Sequence, residues 1–255
     1  MSPTVTNPRV QCFKNHEELA EAAVIKMLAL SQRTIREKGR FALALSNGLT
    51  IRFIASLMAN ASYRNEFDWE HIHFFWADEK WVPPTDSRSH YALLAESLLT
   101  RVDIPIENIH PIRTNLPSPL DSARRYQEDL RNFFELEDDA FPSFDLVCLG
   151  VGRGGEVAAL FPDDLALEVR EQKVVVAVPK DTLEFRVTLT LPVLNHVQNI
   201  FFIASGKEKA LIVKQVFEGG EDSMLLPVRR VRPLNGSSQW FLDKAAASLL
   251  SFARF

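Results

Sequence analysis

Several short apolar runs in this chain carry no polar alternation. Phe41–Leu45, Leu146–Leu149 and Ile200–Ala204 are unbroken, and His71–Trp76 is nearly so. A strand with one face in water alternates in polarity, so runs of this kind belong to strands covered on both faces. Helical stretches separate them. Residues 15–38 read as a long helix: Asn15 caps it with Glu18 three positions on, Leu19, Ala22, Ala23, Met27 and Leu30 form the apolar stripe, and Gly39 stops it. Further helices are expected at about 50–60, 88–99, 119–135, 207–217 and 239–252, with a helical turn at 156–161. Further strands are expected at about 173–178, 186–191 and 199–204. The expected fold is α/β: a mainly parallel sheet sandwiched by helices in three Rossmann-like layers, with a small antiparallel extension around 186–204. Residues 1–255 are expected to form a single domain, with no repeat or low-complexity linker to divide them.

In such sheets ligands bind beyond the carboxyl ends of the strands. Four segments follow strands and define the search: Ser46–Thr50, Asp78–Lys80, Gly150–Glu156 and Gly206–Lys209. Composition narrows the ligand. The net charge is −4 over 255 residues, which excludes a basic nucleic-acid binder or a polybasic membrane binder. The N-terminus MSPTVTNPRVQ has no apolar targeting core, and no apolar run approaches membrane-spanning length. Of the two cysteines, Cys148 lies inside an apolar strand and reads as a small buried hydrophobe. With no disulfide framework, a cytoplasmic setting is expected.

Glycine is scarce, ten in all, yet four of the ten fall at positions 150, 152, 154 and 155. Glycine permits positive φ and close backbone approach, so a strand delivering its chain to this turn points to an anion-facing loop. Gly150-x-Gly152-x-x-Gly155 formally matches a dinucleotide fingerprint. That motif usually sits on the first strand–helix turn, whereas several strands precede it here, and Phe161-Pro162 ends any helix too soon. A tight turn without ligand is the bland alternative.

The motifs resemble those of the 6-phosphogluconolactonases. They are Ser46-Asn47-Gly48-Leu49-Thr50, Trp76-Ala77-Asp78-Glu79-Lys80-Trp81-Val82-Pro83, and Phe144-Asp145-Leu146 through Leu160-Phe161-Pro162. Arg186-Val187-Thr188-Leu189-Thr190, Gly206-Lys207-Glu208-Lys209-Ala210, and Leu226-Pro227 with Trp240-Phe241-Leu242-Asp243 complete the series. They stand in the family's order and span about residues 10 to 252. The related glucosamine-6-phosphate deaminases share the fold, but Leu160-Phe161-Pro162 is more similar to the lactonase branch.

The resemblance implies a cytoplasmic hydrolase of the pentose phosphate pathway that needs no cofactor or metal. It opens 6-phospho-D-glucono-1,5-lactone to 6-phosphogluconate. Carried over by position, the substrate and phosphate residues are Ser46, Asn47, Gly48, Thr50, Gly152, Arg153, Gly154, Gly155, Arg186 and Lys209. Asp78 and Glu79 lie near the sugar hydroxyls. The partner is thus a phosphorylated sugar lactone, not nucleic acid or membrane.

The departures fall in the site itself. Where the family has Asp, His, Thr and Ser after its glycines, this chain has Gly154, Glu156, Val157 and Ala159. Lys80 stands for an Arg, Asn47 for a Gly, Leu49 for a hydroxyl residue and His90 for an Asn. Two accounts follow. In one, Glu156 takes the base's role with Asp78 and Lys80, since lactone hydrolysis needs only a positioned base and an oxyanion donor. In the other, the scaffold binds a sugar phosphate without turnover. A cleft plugged by Leu49 or Val157 favours the second account. Other constellations carry less. His71-x-His73 places two imidazoles on one strand face but lacks a third ligand. Ser46 and His90 lack the nucleophile elbow of a hydrolase triad. Asp138-Asp139, Asp163-Asp164 and Arg229-Arg230-x-Arg232 read as solvated loop charges.

Overall fold

The computed structural model describes residues 9–180, 182 and 184–252, so the first eight residues of the N-terminal stretch lie outside it. In chain order the elements begin β1 (Arg9–Phe13), α1 (His16–Lys38), β2 (Phe41–Leu45), α2 (Leu49–Met58), β3 (Ile72–Trp76), β4 (Asp78–Lys80) and α3 (His90–Leu94). They continue β5 (Ile109–His110), α4 (Pro119–Phe133), β6 (Leu146–Gly150), β7 (Val174–Ala177), β8 (Arg186–Leu189) and α5 (Leu191–Asn195). They close with β9 (Asn199–Ala204), α6 (Ala210–Glu218), α7 (Pro227–Arg230) and β10 (Ser237–Asp243). Seven strands form one parallel sheet in the order β1-β10-β9-β6-β2-β3-β5, flanked by helices as expected.

The expected start of α1 is the observed one. Asn15 accepts a hydrogen bond from the Glu18 N–H at 2.9 Å, and Gly39 closes the helix at φ 76°. The apolar strands are buried on both faces: every residue of β2 is buried, and so are the first four of β6. Cys148 sits inside β6, where burial raises its thiol pKa.

Four expectations need correction. The segment 239–252 is not a helix. Its first part is β10, in parallel register between β9 and β1, and turns follow it. Trp240 packs on Phe202 and on Phe217 of α6, while Phe241 faces Phe13 and Phe201 on the other side. The turn at 156–161 is not helical either; Ala158 has φ 49° and Val157 bridges to Leu160. The helix expected at 88–99 is α3 followed by a wider turn over Ala95–Leu99. The antiparallel part is a separate three-stranded sheet, β4-β8-β7, and 199–204 belongs to the main sheet.

Beyond the two residue pairs that β5 makes with β3, Tyr126 of α4 continues the ladder. Its hydroxyl donates to the Trp76 carbonyl at 2.9 Å and accepts from the Trp76 N–H at 3.0 Å. Tyr126 is 1% exposed, so no water replaces those bonds. Tyr126→Phe keeps the ring and strands both backbone groups. It is expected to lower the free energy of urea unfolding by about 2–4 kcal/mol.

Candidate active site

Connections leave β2 towards β3 and leave β6 towards β9, so the strand order reverses between β2 and β6. A crevice opens at such a point, beyond the carboxyl ends of the strands. Here it is a cleft of about 610 Å³, and all four loops singled out from the sequence contribute to its walls. Ser46, at the end of β2, donates its N–H to the Cys148 carbonyl at 3.0 Å, and its hydroxyl accepts from the Gly150 N–H at 2.9 Å. A Cβ at Gly150 would stand 3.0 Å from the Asn47 carbonyl oxygen, so glycine lets the two strand ends meet. Gly48, at φ 150°, turns the chain into α2, whose first N–H groups have no side-chain cap.

The glycine loop does not present its backbone to a foreign anion. The Gly152 N–H bonds to the Glu156 carbonyl at 2.8 Å, and the Gly155 N–H to the Gly152 carbonyl at 3.2 Å. The Gly154 N–H bonds to Glu156 Oε2 at 2.8 Å. The loop therefore holds a carboxylate of its own chain. A Cβ at Gly152 would come within 1.8 Å of Glu156 Oε1, so this carboxylate lies directly over the glycine. Gly154 and Gly155, expected to touch the ligand, lie off the cleft wall. Gly155, at φ 79°, turns the chain against Leu226 and Ile212, and its carbonyl accepts from the Val228 N–H.

Four cations border the cleft, Lys80, Arg153, Arg186 and Lys209, against three carboxylates, Asp78, Glu156 and Glu208. Burial lowers the Lys209 ammonium pKa, and the charges of Glu156 and Glu208 oppose that shift. Lys80 and Arg186 both pair with Glu184, at 3.1 and 3.5 Å, and Arg88 joins at 2.9 Å. Burial by itself would raise the Glu184 carboxyl, but Lys80, Arg186 and Arg88 bring it below its usual value. Asp78 is 2% exposed and faces the cleft; its Oδ1 has no hydrogen-bond partner among the described residues. Glu79, its neighbour, points the other way, because adjacent strand residues face opposite sides. It is buried and accepts from the N–H groups of Lys80, His90 and Tyr91 and from the Ser89 hydroxyl, anchoring the start of α3. The expectation of Glu79 beside the sugar is corrected accordingly, and burial raises its carboxyl pKa.

Residues 14–240 match the family model described as glucosamine-6-phosphate isomerases/6-phosphogluconolactonase. The chain belongs to this family. It is 37% identical to a 6-phosphogluconolactonase of Rattus norvegicus, over 95% of this chain and 93% of that protein. It is 34% identical to one of Nostoc sp., over 95% and 98%. The solved structure of a 6-phosphogluconolactonase from Thermotoga maritima superposes with a TM-score of 0.79 at 27% identity, covering 93% of this chain and all of that one.

In this member of the isomerase/lactonase family the cleft gathers Ser46, Asn47, Gly48, Thr50, Asp78, Lys80, Gly152, Arg153, Glu156, Arg186 and Lys209. Neither apolar replacement plugs it. Leu49 is 84% exposed at the rim, and Val157 is fully buried beneath. His16, His90, Ser205 and Glu208 also border it; sequence reasoning met His90 as a departure at the site and Glu208 within Gly206–Lys209, but did not place His16 or Ser205 there. Ser205 immediately precedes that motif, so its position was available; His16 comes from the start of α1, where nothing local marks it. The two histidines read as sharing a strand face do not. His71 precedes β3 on a short turn and bonds to Asp68, while His73 meets His110 at 3.2 Å. Burial holds the His110 pKa down to about 4. Arg230 pairs with Glu168, away from the cleft. Among the described residues no helix is long and apolar enough to cross a membrane.

Gly152→Ala separates the loop from its carboxylate. The three nearest atoms all belong to the flexible Glu156 side chain, so the variant is expected to lose no more than about 1 kcal/mol of stability. Its crystal structure should show the Glu156 carboxylate swung off the loop.

Proposed function

We propose that this chain is a single-domain, cytoplasmic 6-phosphogluconolactonase, hydrolysing 6-phospho-D-glucono-1,5-lactone to 6-phosphogluconate in the pentose phosphate pathway. One observation carries the reading: an open cleft at the strand-order reversal brings a carboxylate and a set of cations together. The phosphate end sits by the uncapped start of α2, with Gly48, Thr50, Arg153 and Lys209 around it, since N–H groups at a helix start and an ammonium both favour an anion. Glu156 is the base. Its Oε2 is held by the Gly154 N–H, while Oε1 enters no hydrogen bond among the described residues. It takes a proton from water as the water oxygen adds to the lactone carbonyl carbon. Lys80 and Arg186 supply positive charge for the oxyanion that forms, and Asp78 accepts from a sugar hydroxyl.

The test is hydrolysis of freshly generated 6-phosphogluconolactone, corrected for spontaneous opening. Glu156→Gln is expected to lower kcat roughly 10²–10⁴-fold with KM little changed. Lys209→Met is expected to raise KM on the order of tenfold, the loss of one charge-assisted contact to phosphate. No rate above background in the unmodified protein overturns the lactonase reading. It leaves the alternative, a sugar-phosphate-binding protein without turnover.

A further inference from the structure

Two imidazoles border the cleft without a part in the carboxylate chemistry, His16 and His90, and of these His90 is the buried one. His90, the first residue of α3, is 5% exposed. Its Nδ1 lies 2.9 Å from the backbone carbonyl oxygen of Asp78 and 3.5 Å from Asp78 Oδ2. Both are acceptors, so Nδ1 carries a hydrogen in either charge state of the ring. Its own backbone N–H is held by Glu79 at 2.7 Å. Nε2 enters no hydrogen bond among the described residues, and it is the ring's remaining proton site. An imidazole fixed at one nitrogen, backed by a carboxylate and free at the other, is the arrangement that proton transfer requires.

Glu156 leaves work for a second group. In the tetrahedral intermediate the entering oxygen and the departing ring oxygen sit on one carbon. The Gly154 N–H takes Oε2 and holds Glu156 over Gly152, so one carboxylate oxygen, Oε1, is left to serve the entering water, and a second group serves the departing oxygen. We infer that His90, positioned by Asp78, is the general acid that protonates the departing ring oxygen.

The inference rests on the lactonase reading of the cleft. Glu156 takes a proton from water while the water oxygen bonds to the carbonyl carbon, and the carbonyl electron pair moves onto oxygen. As that pair re-forms the carbonyl, the bond from carbon to ring oxygen breaks, and its electrons go to the ring oxygen. The Nε2 proton of the His90 imidazolium passes to that oxygen. The neutral ring keeps its hydrogen on Nδ1, and Asp78 balances the imidazolium charge before transfer. The proton left on Glu156 returns to His90 through solvent, so each turnover consumes one water. The charged groups around the ring are Asp78 and Glu79 of β4, Arg186 of β8, 4.0 Å from Asp78 Oδ2, and Arg52 of α2, which borders the same small hollow.

The experiment is the pH dependence of kcat and KM for lactone hydrolysis by the unmodified protein, His90→Asn and Asp78→Asn. The unmodified protein is expected to show a bell-shaped profile. His90→Asn should lose its alkaline limb and roughly 10²–10³-fold in kcat, with KM unchanged. Asp78→Asn should keep the limb while lowering kcat and raising KM, since its carboxylate both positions the ring and accepts from the sugar. An alkaline limb that survives in His90→Asn, whatever the size of the rate loss, overturns the inference and leaves His90 a structural residue. Absence of turnover in the unmodified protein overturns the lactonase reading instead, and this inference with it. Should His90→Asn fail to fold, nitrogen-15 NMR of the unmodified protein decides: Nε2 must be the titrating nitrogen of His90, and a ring bare at Nδ1 overturns the assignment.

Discussion

β2 and β6 share three residue pairs, Leu43 with Leu146, Ala44 with Val147 and Leu45 with Cys148. So short a ladder needs help at both ends, and side chains supply it. At the start, Asp145 accepts from the Ala42 N–H at 2.9 Å and from Lys38 at 2.8 Å, while Asn199 donates to its carbonyl. At the finish, Ser46 joins Gly150. The strand order reverses at this seam, so the chain leaves it in opposite directions and opens the cleft. The loop after β2 and the loop after β6 are thus held at a distance set by the Ser46 hydroxyl. Ser46 borders the cleft, yet its oxygen is already engaged, which makes it a positioning group for its neighbours.

The electrostatics of the cleft are largely satisfied within the chain. Glu156 occupies the N–H groups of its own loop, and Glu184 draws together Lys80, Arg88 and Arg186. On the proposed reading, an incoming oxyanion meets two cations, Lys80 and Arg186, held in place by Glu184. Fixed charges of this kind stabilise a developing anion without reorganising at the moment of reaction. They also set a cost, since a substrate anion competes with Glu184 for the same cations. Arg153 and Lys209 enter no such pair among the described residues; burial opposes the Lys209 charge, so on the proposed reading it has most to gain from a phosphate.

Much of this was legible in residues. Asn15 and Gly39 mark the ends of α1, and the unbroken apolar runs give the parallel sheet. β10 was misread because Trp240-Phe241-Leu242 is apolar on consecutive positions. A doubly buried strand of that kind has no period to tell it from a buried helix. β1 was missed for the opposite reason, as it lies at the sheet edge with only Val10 and Phe13 partly covered. In the site, the glycine cluster points to the loop but not to what fills it, since a backbone N–H taken up by a side chain two residues away is invisible to spacing. The division between Asp78 and Glu79 follows from strand alternation. His90 stands out in the sequence only as a departure within a motif; its contact with Asp78, twelve residues earlier across a proline-rich loop, is not readable from spacing.

On the proposed lactonase reading, a carboxylate rather than an imidazole on the glycine loop changes more than base strength. A neutral imidazole beside the loop adds no charge, whereas Glu156 adds a negative one to a cleft meant for an anionic substrate. The compensation is visible in the lining: Lys209 senses Glu156 electrostatically, and Arg153 stands on the same loop. It is visible again in Gly154, which frees an N–H to fix the carboxylate where a bulkier residue would meet Glu156 Oε2 at 3.1 Å. Glu156, Gly152 and Gly154 therefore act as one unit. Placing His at position 156 alone would put a ring over Gly152 while leaving the Gly154 N–H without its acceptor.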